Sequence, residues 1–97
     1  MAHAGDLRPS PEISGCDYMF TGPVEEGDAQ SIDAMIPATA DGSRLCLNSP
    51  GGNFVEGLRM FHTIWNKDSV ATYVRSGDGC YSACAIAFLG GSLVVGT

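Results

Sequence analysis

The run Leu45-Cys46-Leu47-Asn48 leads directly into Ser49-Pro50-Gly51-Gly52 and then into a helix that Asn53 can cap. A β-prone run, a turn with two adjacent glycines and an amphipathic helix make a βα unit, which a small chain accommodates as part of an α/β layer. The rest of the chain repeats that order. Tyr18-Met19-Phe20-Thr21 is β-prone and closed by Gly22-Pro23, and Gly27-Asp28 offers a helix start before Ile32, Met35 and Ile36 at helical spacing. Pro37 predicts the end of that helix. Asp41-Gly42-Ser43 turns the chain into the strand at 44–48, Val70-Ala71-Thr72-Tyr73-Val74 reads as a third strand, and 82–89 as a short helix, apolar nearly all round and so expected to be buried. Gly90-Gly91 ends it, and Leu93-Val94-Val95 predicts a fourth strand. The expected fold class is α/β: a mainly parallel β-sheet with right-handed βαβ crossovers, its ligand crevice beyond the strand C-termini. Both glycine-rich turns follow strands and belong to that edge.

Residues 1–15 hold Pro9, Pro11 and Gly15 and no sustained apolar period, so they read as a flexible leader, and residues 16–97 as the α/β domain. In the helix after Asn53, Phe54, Leu58, Phe61 and Trp65 fall at i, i+4, i+7 and i+11, a stripe that reads as core. Glu56 stands three residues after Asn53, as in a capping box. His62, on the flank of the stripe, reads as a half-buried packing residue. Glu25, Glu26 and Asp28 cluster at a helix start and read as capping and solvation.

A chain of 97 residues with 44% hydrophobic side chains supports one core. At this size folding hides roughly 60–65% of the surface, so stability is marginal and oligomerisation is expected. Five Lys plus Arg against eleven Asp plus Glu, a net charge of −6, exclude a nucleic-acid or anionic-membrane surface, because both need clustered positive charge. No apolar run approaches the ~18 residues of a membrane span, and the start has no basic region followed by an apolar one.

Two constellations can carry chemistry. In Asn48-Ser49-Pro50-Gly51-Gly52 the paired glycines let the backbone turn sharply and expose N–H groups, as an oxyanion hole requires; the run reads equally as a plain βα turn. In Gly79-Cys80-Tyr81-Ser82-Ala83-Cys84 a serine stands at a helix start, where it serves either as nucleophile or as N-cap. This is not the G-x-S-x-G elbow of α/β-hydrolases, since Cys84 occupies the second glycine's place.

Gly22-Pro23-Val24 after the first strand, Leu47-Asn48-Ser49-Pro50-Gly51-Gly52 with Gly57 five residues on, and Gly79-x-x-Ser82-Ala83 before an apolar helix ending Leu89-Gly90-Gly91 form an ordered set. Over about residues 18–95 that set resembles the Clp protease proteolytic-subunit family, within the wider ClpP/crotonase superfamily. The resemblance implies a partial ClpP-like serine endopeptidase domain with Ser82 as nucleophile, Gly52 and Ala83 as oxyanion donors, and Gly51 and Asn53 against the substrate. It implies a peptide or unfolded-protein substrate, a homo-oligomer, an ATPase partner left unidentified, and no cofactor. The family's histidine and acid lie beyond the serine, whereas no His, Asp or Glu follows Ser82 here, and neither His3 nor His62 matches the family position. The implied triad is therefore catalytically incomplete in this chain. A non-catalytic ClpP-like binding or assembly module is the alternative. A crotonase-type acyl-CoA enzyme is a third, disfavoured because it needs no serine and its CoA site wants basic residues.

The cysteines depart from that family's pattern. Cys80 and Cys84, at i and i+4 near a helix start, are about 6 Å apart at Cα, within disulfide reach. Cys16 with Cys46 would complement them, although Cys46 in mid-strand reads equally as a small buried hydrophobe. Two such bridges suit an oxidising compartment, in line with exported, periplasmic Clp-like proteins; a cytoplasmic location is the alternative. No C-x₂-C pair supports a metal site.

Overall fold

The computed structural model describes residues 5–10, 15–37, 43–67 and 70–91. In chain order its elements are β1 (Asp6–Pro9), β2 (Tyr18–Thr21), α1 (Asp28–Met35), β3 (Arg44–Asn48), α2 (Phe54–Trp65), β4 (Ala71–Tyr73) and α3 (Ala83–Phe88). The four strands form one sheet in the order β1-β2-β3-β4; β1 is antiparallel to β2, and the other pairs are parallel. This is a small mixed α/β fold. The strand expected at Leu93-Val94-Val95 lies outside the described residues.

Alternation of side chains along β2 and β3 makes two unequal faces. The parallel register sets Phe20 beside Leu47 and Met19 beside Cys46. Phe20, Leu45 and Leu47 meet Ile32 of α1, Met60 and Ile64 of α2, and Ala83 and Ala87 of α3 in the main core. Full burial of a side chain of that size stabilises by about 1.5–3 kcal/mol, so the helix-covered face dominates. Met19, Cys16 and Cys46 form a separate small cluster, closed by the Cys16–Cys46 disulfide with its Cα atoms 5.7 Å apart.

Several expectations are corrected here. The leader contributes β1, whose Asp6 to Pro9 pair with Thr21 to Tyr18, while Leu7 packs on the main core. The Phe54, Leu58, Phe61, Trp65 stripe is not core: Phe54 is 59% exposed and Trp65 65%, while Glu56, Gly57, Met60 and Ile64 are buried. The cause lies in what α2 packs against. A Cβ on Gly57 would stand 2.7 Å from the Ala83 carbonyl oxygen, so α2 and α3 touch through Gly57. That contact turns the 56/57/60/64 side inward and leaves the aromatic stripe about 100° round the helix, facing out. Helix α3 is likewise buried on one side only, through Ala83, Cys84 and Ala87, with Leu89 exposed just beyond it.

The capping box at α2 is half made. Asn53 Oδ1 accepts the Glu56 N–H at 2.8 Å, but the Asn53 N–H donates to the Val24 carbonyl at 2.7 Å. The Glu56 carboxylate instead crosses to α1, where Oε2 accepts the Ala29 N–H at 2.8 Å and Oε1 accepts from Arg59 at 3.1 Å. It serves as a distant cap for α1.

Nor does Asp28 serve as a solvated cap, being 1% exposed. Its Oδ2 accepts the N–H of Glu25 at 2.7 Å and of Gly5 at 3.0 Å, clipping the start of β1 to α1, while its Oδ1 has no partner among the described residues. Burial pushes this carboxyl above its ordinary 3.8, aided by the charges of Glu56 and Glu25 and opposed by the two N–H groups. The folded protein therefore binds this proton more tightly than the unfolded chain, and its contribution to stability is lost as pH rises from the ordinary carboxylate range through the raised value. In Asp28→Asn that loss is absent. Urea midpoints measured between pH 4 and 7 are expected to shift progressively in the variant's favour as pH rises; a pH-independent difference would contradict the assignment.

Candidate functional site

Three segments meet beyond the C-terminal ends of the parallel strands: Val24 after β2, Gly51-Gly52 after β3, and Cys80 to Ala83 before α3. Backbone bridges hold them. Val24 N–H donates to the Gly51 carbonyl at 2.8 Å, pairing Val24 with Gly52 in parallel fashion. On the other side Ser49 N–H donates to the Gly79 carbonyl at 2.8 Å, and Tyr81 N–H to the Ser49 carbonyl at 3.1 Å. Asn48 Oδ1 accepts the Gly79 N–H at 3.1 Å and fastens the two glycine turns together.

Gly51 and Gly52 have φ of 100° and 147°, where side chains other than glycine's are strained. Space enforces the same choice. A Cβ on Gly51 would lie 2.7 Å from Ser82 Cβ and 2.6 Å from the Tyr81 carbonyl oxygen, and one on Gly52 would overlap the Val24 carbonyl oxygen. Gly51, expected against the substrate, is instead buried with both backbone groups engaged, its N–H on Ser49 Oγ at 3.1 Å and its carbonyl on Val24. Its part is to let Ser82 come close. Asn53 likewise commits its side-chain oxygen to capping α2. The Gly52 N–H, by contrast, donates to no described residue.

Ser82 precedes α3 with φ 54° and ψ −119°, and among the described residues it alone has positive φ without being glycine. Such a conformation costs about 1–3 kcal/mol and persists where surroundings over-determine it. The serine is exposed, and its side chain makes no cap hydrogen bond to α3. Among the described residues nothing accepts the Ala83 N–H either. The corner thus presents one uncommitted hydroxyl and two uncommitted N–H groups, those of Gly52 and Ala83.

No family model, curated protein or solved structure matches this chain.

The cysteines are paired as Cys16–Cys46 and Cys80–Cys84, and the second bond encloses Ser82, with Cα atoms 5.1 Å apart. Among the described residues no group of three His, Cys, Asp or Glu side chains gathers as metal ligands. None of the described helices is long and apolar enough to cross a membrane.

His62 is exposed, not half-buried, and lies in a groove of about 540 Å³ between α1 and α2 with Gln30, Asp33, Arg59 and Lys67. It sits five residues beyond Gly57, about 140° round the helix from the side that meets Ala83. Helical geometry therefore separates it from Ser82. The groove's cations are spent locally: Lys67 Nζ lies 3.3 Å from Asp33 Oδ1, and Arg59 bonds Glu56. Asp78, which the sequence marks only as part of a turn, stands in the segment that feeds Ser82, and its Oδ2 is buried with no partner among the described residues. Its only signal was a carboxylate between Gly77 and Gly79.

Proposed function

We propose that the corner of Gly52, Ser82 and Ala83 is the nucleophile-and-oxyanion half of a ClpP-like serine peptidase acting on peptide or unfolded protein. The observation that carries the reading is Ser82 itself: an exposed serine in a strained conformation at a helix start, its hydroxyl not used as a cap. An N-cap serine has extended backbone and spends its oxygen on the helix; this one does neither. In the reaction Ser82 Oγ attacks the peptide carbonyl, and its proton passes to a base outside the described residues. The developing oxyanion is met by the N–H groups of Gly52 and Ala83; one such donor is ordinarily worth about 10²–10³ in rate. The base then returns the proton to the leaving amine. Two disulfides support an exported, oxidising location such as the periplasm.

A second reading, a non-catalytic ClpP-like assembly module, is favoured by the exposed Phe54, Leu58 and Trp65 of α2 and Leu89 just past α3, apolar surface suited to another copy or a partner. One experiment separates the two. Fluorophosphonate labelling of the full-length natural protein, read by intact mass, is expected to give a single adduct that Ser82→Ala abolishes. A folded protein that takes no adduct would favour the assembly module.

A further inference from the structure

We propose that the Cys80–Cys84 disulfide is a thiol-reactive switch site that sets the geometry of Ser82, with a dithiol reductant as its co-reactant. The inference rests on the reading of Ser82 as nucleophile. The bond closes a five-residue ring, Cys80 to Cys84, with Ser82 at its centre. Its two ends are anchored to different parts of the fold. Cys80 is bridged to Ser49 beyond β3, whereas Cys84 is fully buried in α3, which packs on α2. Between those anchors the Tyr81 N–H on the Ser49 carbonyl and the close approach of Gly51 also border the serine, whose φ is 54°. Inside the ring the Cys84 N–H donates to the Tyr81 carbonyl at 2.9 Å, and the Ile86 N–H reaches the Ser82 carbonyl at 3.3 Å. With no side-chain cap and a helix of only six residues, the covalent ring adds to these contacts the constraint that over-determines the conformation.

Accessibility then separates the two disulfides. Cys16 and Cys46 are 5% and 0% exposed, whereas Cys80 is partly exposed. A thiolate of the reductant attacks Cys80 Sγ, forming a mixed disulfide and releasing Cys84 as thiolate, which takes a proton. The reductant's second thiol attacks the mixed disulfide, leaving Cys80 as a thiol and the reductant as a cyclic disulfide. Two electrons and two protons pass to the protein. Freed of the ring, Ser82 relaxes toward ordinary backbone angles, and its hydroxyl leaves the Gly52 and Ala83 N–H groups. The serine is thus held inactive in a thiol-rich compartment and assembled in an oxidising one.

The test is a native titration of the full-length protein with dithiothreitol, followed by iodoacetamide trapping and mass mapping. Labelling by fluorophosphonate and the backbone chemical shifts of Tyr81, Ser82 and Ala83 are read at each step. Cys80 and Cys84 are expected to alkylate while Cys16–Cys46 stays bonded and the circular dichroism is unchanged. Labelling is expected to fall at least tenfold, to return on reoxidation, and to be low in either redox state in Cys80→Ala/Cys84→Ala. Equal, measurable labelling of oxidised and reduced protein, or unchanged Ser82 shifts, would overturn the switch. Labelling absent in both states while the shifts move would overturn the nucleophile assignment and leave the redox-controlled geometry standing. Reduction of Cys16–Cys46 before Cys80–Cys84 would overturn the accessibility argument.

Discussion

Gly51→Ala is expected to destabilise the protein by about 2–5 kcal/mol and to abolish fluorophosphonate labelling. Two costs add. At φ 100° a β-carbon brings left-handed strain of about 1–2 kcal/mol. The added carbon would also stand 2.6 Å from the Tyr81 carbonyl oxygen and 2.7 Å from Ser82 Cβ, atoms on or next to the backbone that cannot swing aside. Overpacking of that kind costs about 1–3 kcal/mol more and displaces the serine it presses on. Gly77 supplies the control, with φ 90° and nothing within 4 Å of an added Cβ. Gly77→Ala should therefore show the strain alone, about 1–2 kcal/mol, with labelling retained. Urea denaturation of both variants reads the difference. If the two lose equal stability and both still label, Gly51 is only a turn residue and the close approach of Ser82 does not depend on it.

Elements carried by local chemistry were legible in the sequence. Pro37 follows the Ile36 cap of α1, Asn53 caps α2, and both glycine turns stand beyond the strand ends. Each depends on residues adjacent in the chain. What could not be read depends on partners far away. Strand β1 has one partly buried residue in the pattern of Asp6 to Pro9 and owes its existence to backbone pairing with β2. Glu56 looked like a local capping-box residue, yet its carboxylate acts on Ala29, 27 residues away. The inward side of α2 departs from its apolar stripe for the same reason, because Gly57 against Ala83 outranks the larger apolar residues in deciding which way the helix turns. At the candidate site, a serine before a short helix and paired glycines after a strand were visible. The positive φ of a serine that does not cap its helix was not, because it accompanies the close approach of Gly51, far back in the chain.

Cys16→Ala/Cys46→Ala is expected to lower stability by about 3–4 kcal/mol, whereas Cys80→Ala/Cys84→Ala should lose roughly 2 kcal/mol or less. In the chain-entropy account a crosslink restricts the unfolded chain by an amount that grows with the logarithm of the loop it closes. Sequence separations of 30 and 4 place the two bonds at opposite ends of that scale. The longer one also ties Cys16, ahead of β2, to the middle of β3 on the face that no described helix covers, where only Met19 joins it in a buried cluster. Against a total of about 5–15 kcal/mol for a domain of this size, the first loss is a large fraction and the second a tolerable one. Calorimetry should show it as a fall in Tm of about 15–25 °C for the first variant. The contrast divides the labour between the bonds: Cys16–Cys46 chiefly holds the sheet together, and Cys80–Cys84 chiefly shapes a corner and supports the fold less. Equal losses from the two variants would show that the Cys80–Cys84 ring is a structural staple, and its assignment to the geometry of Ser82 would lose its basis.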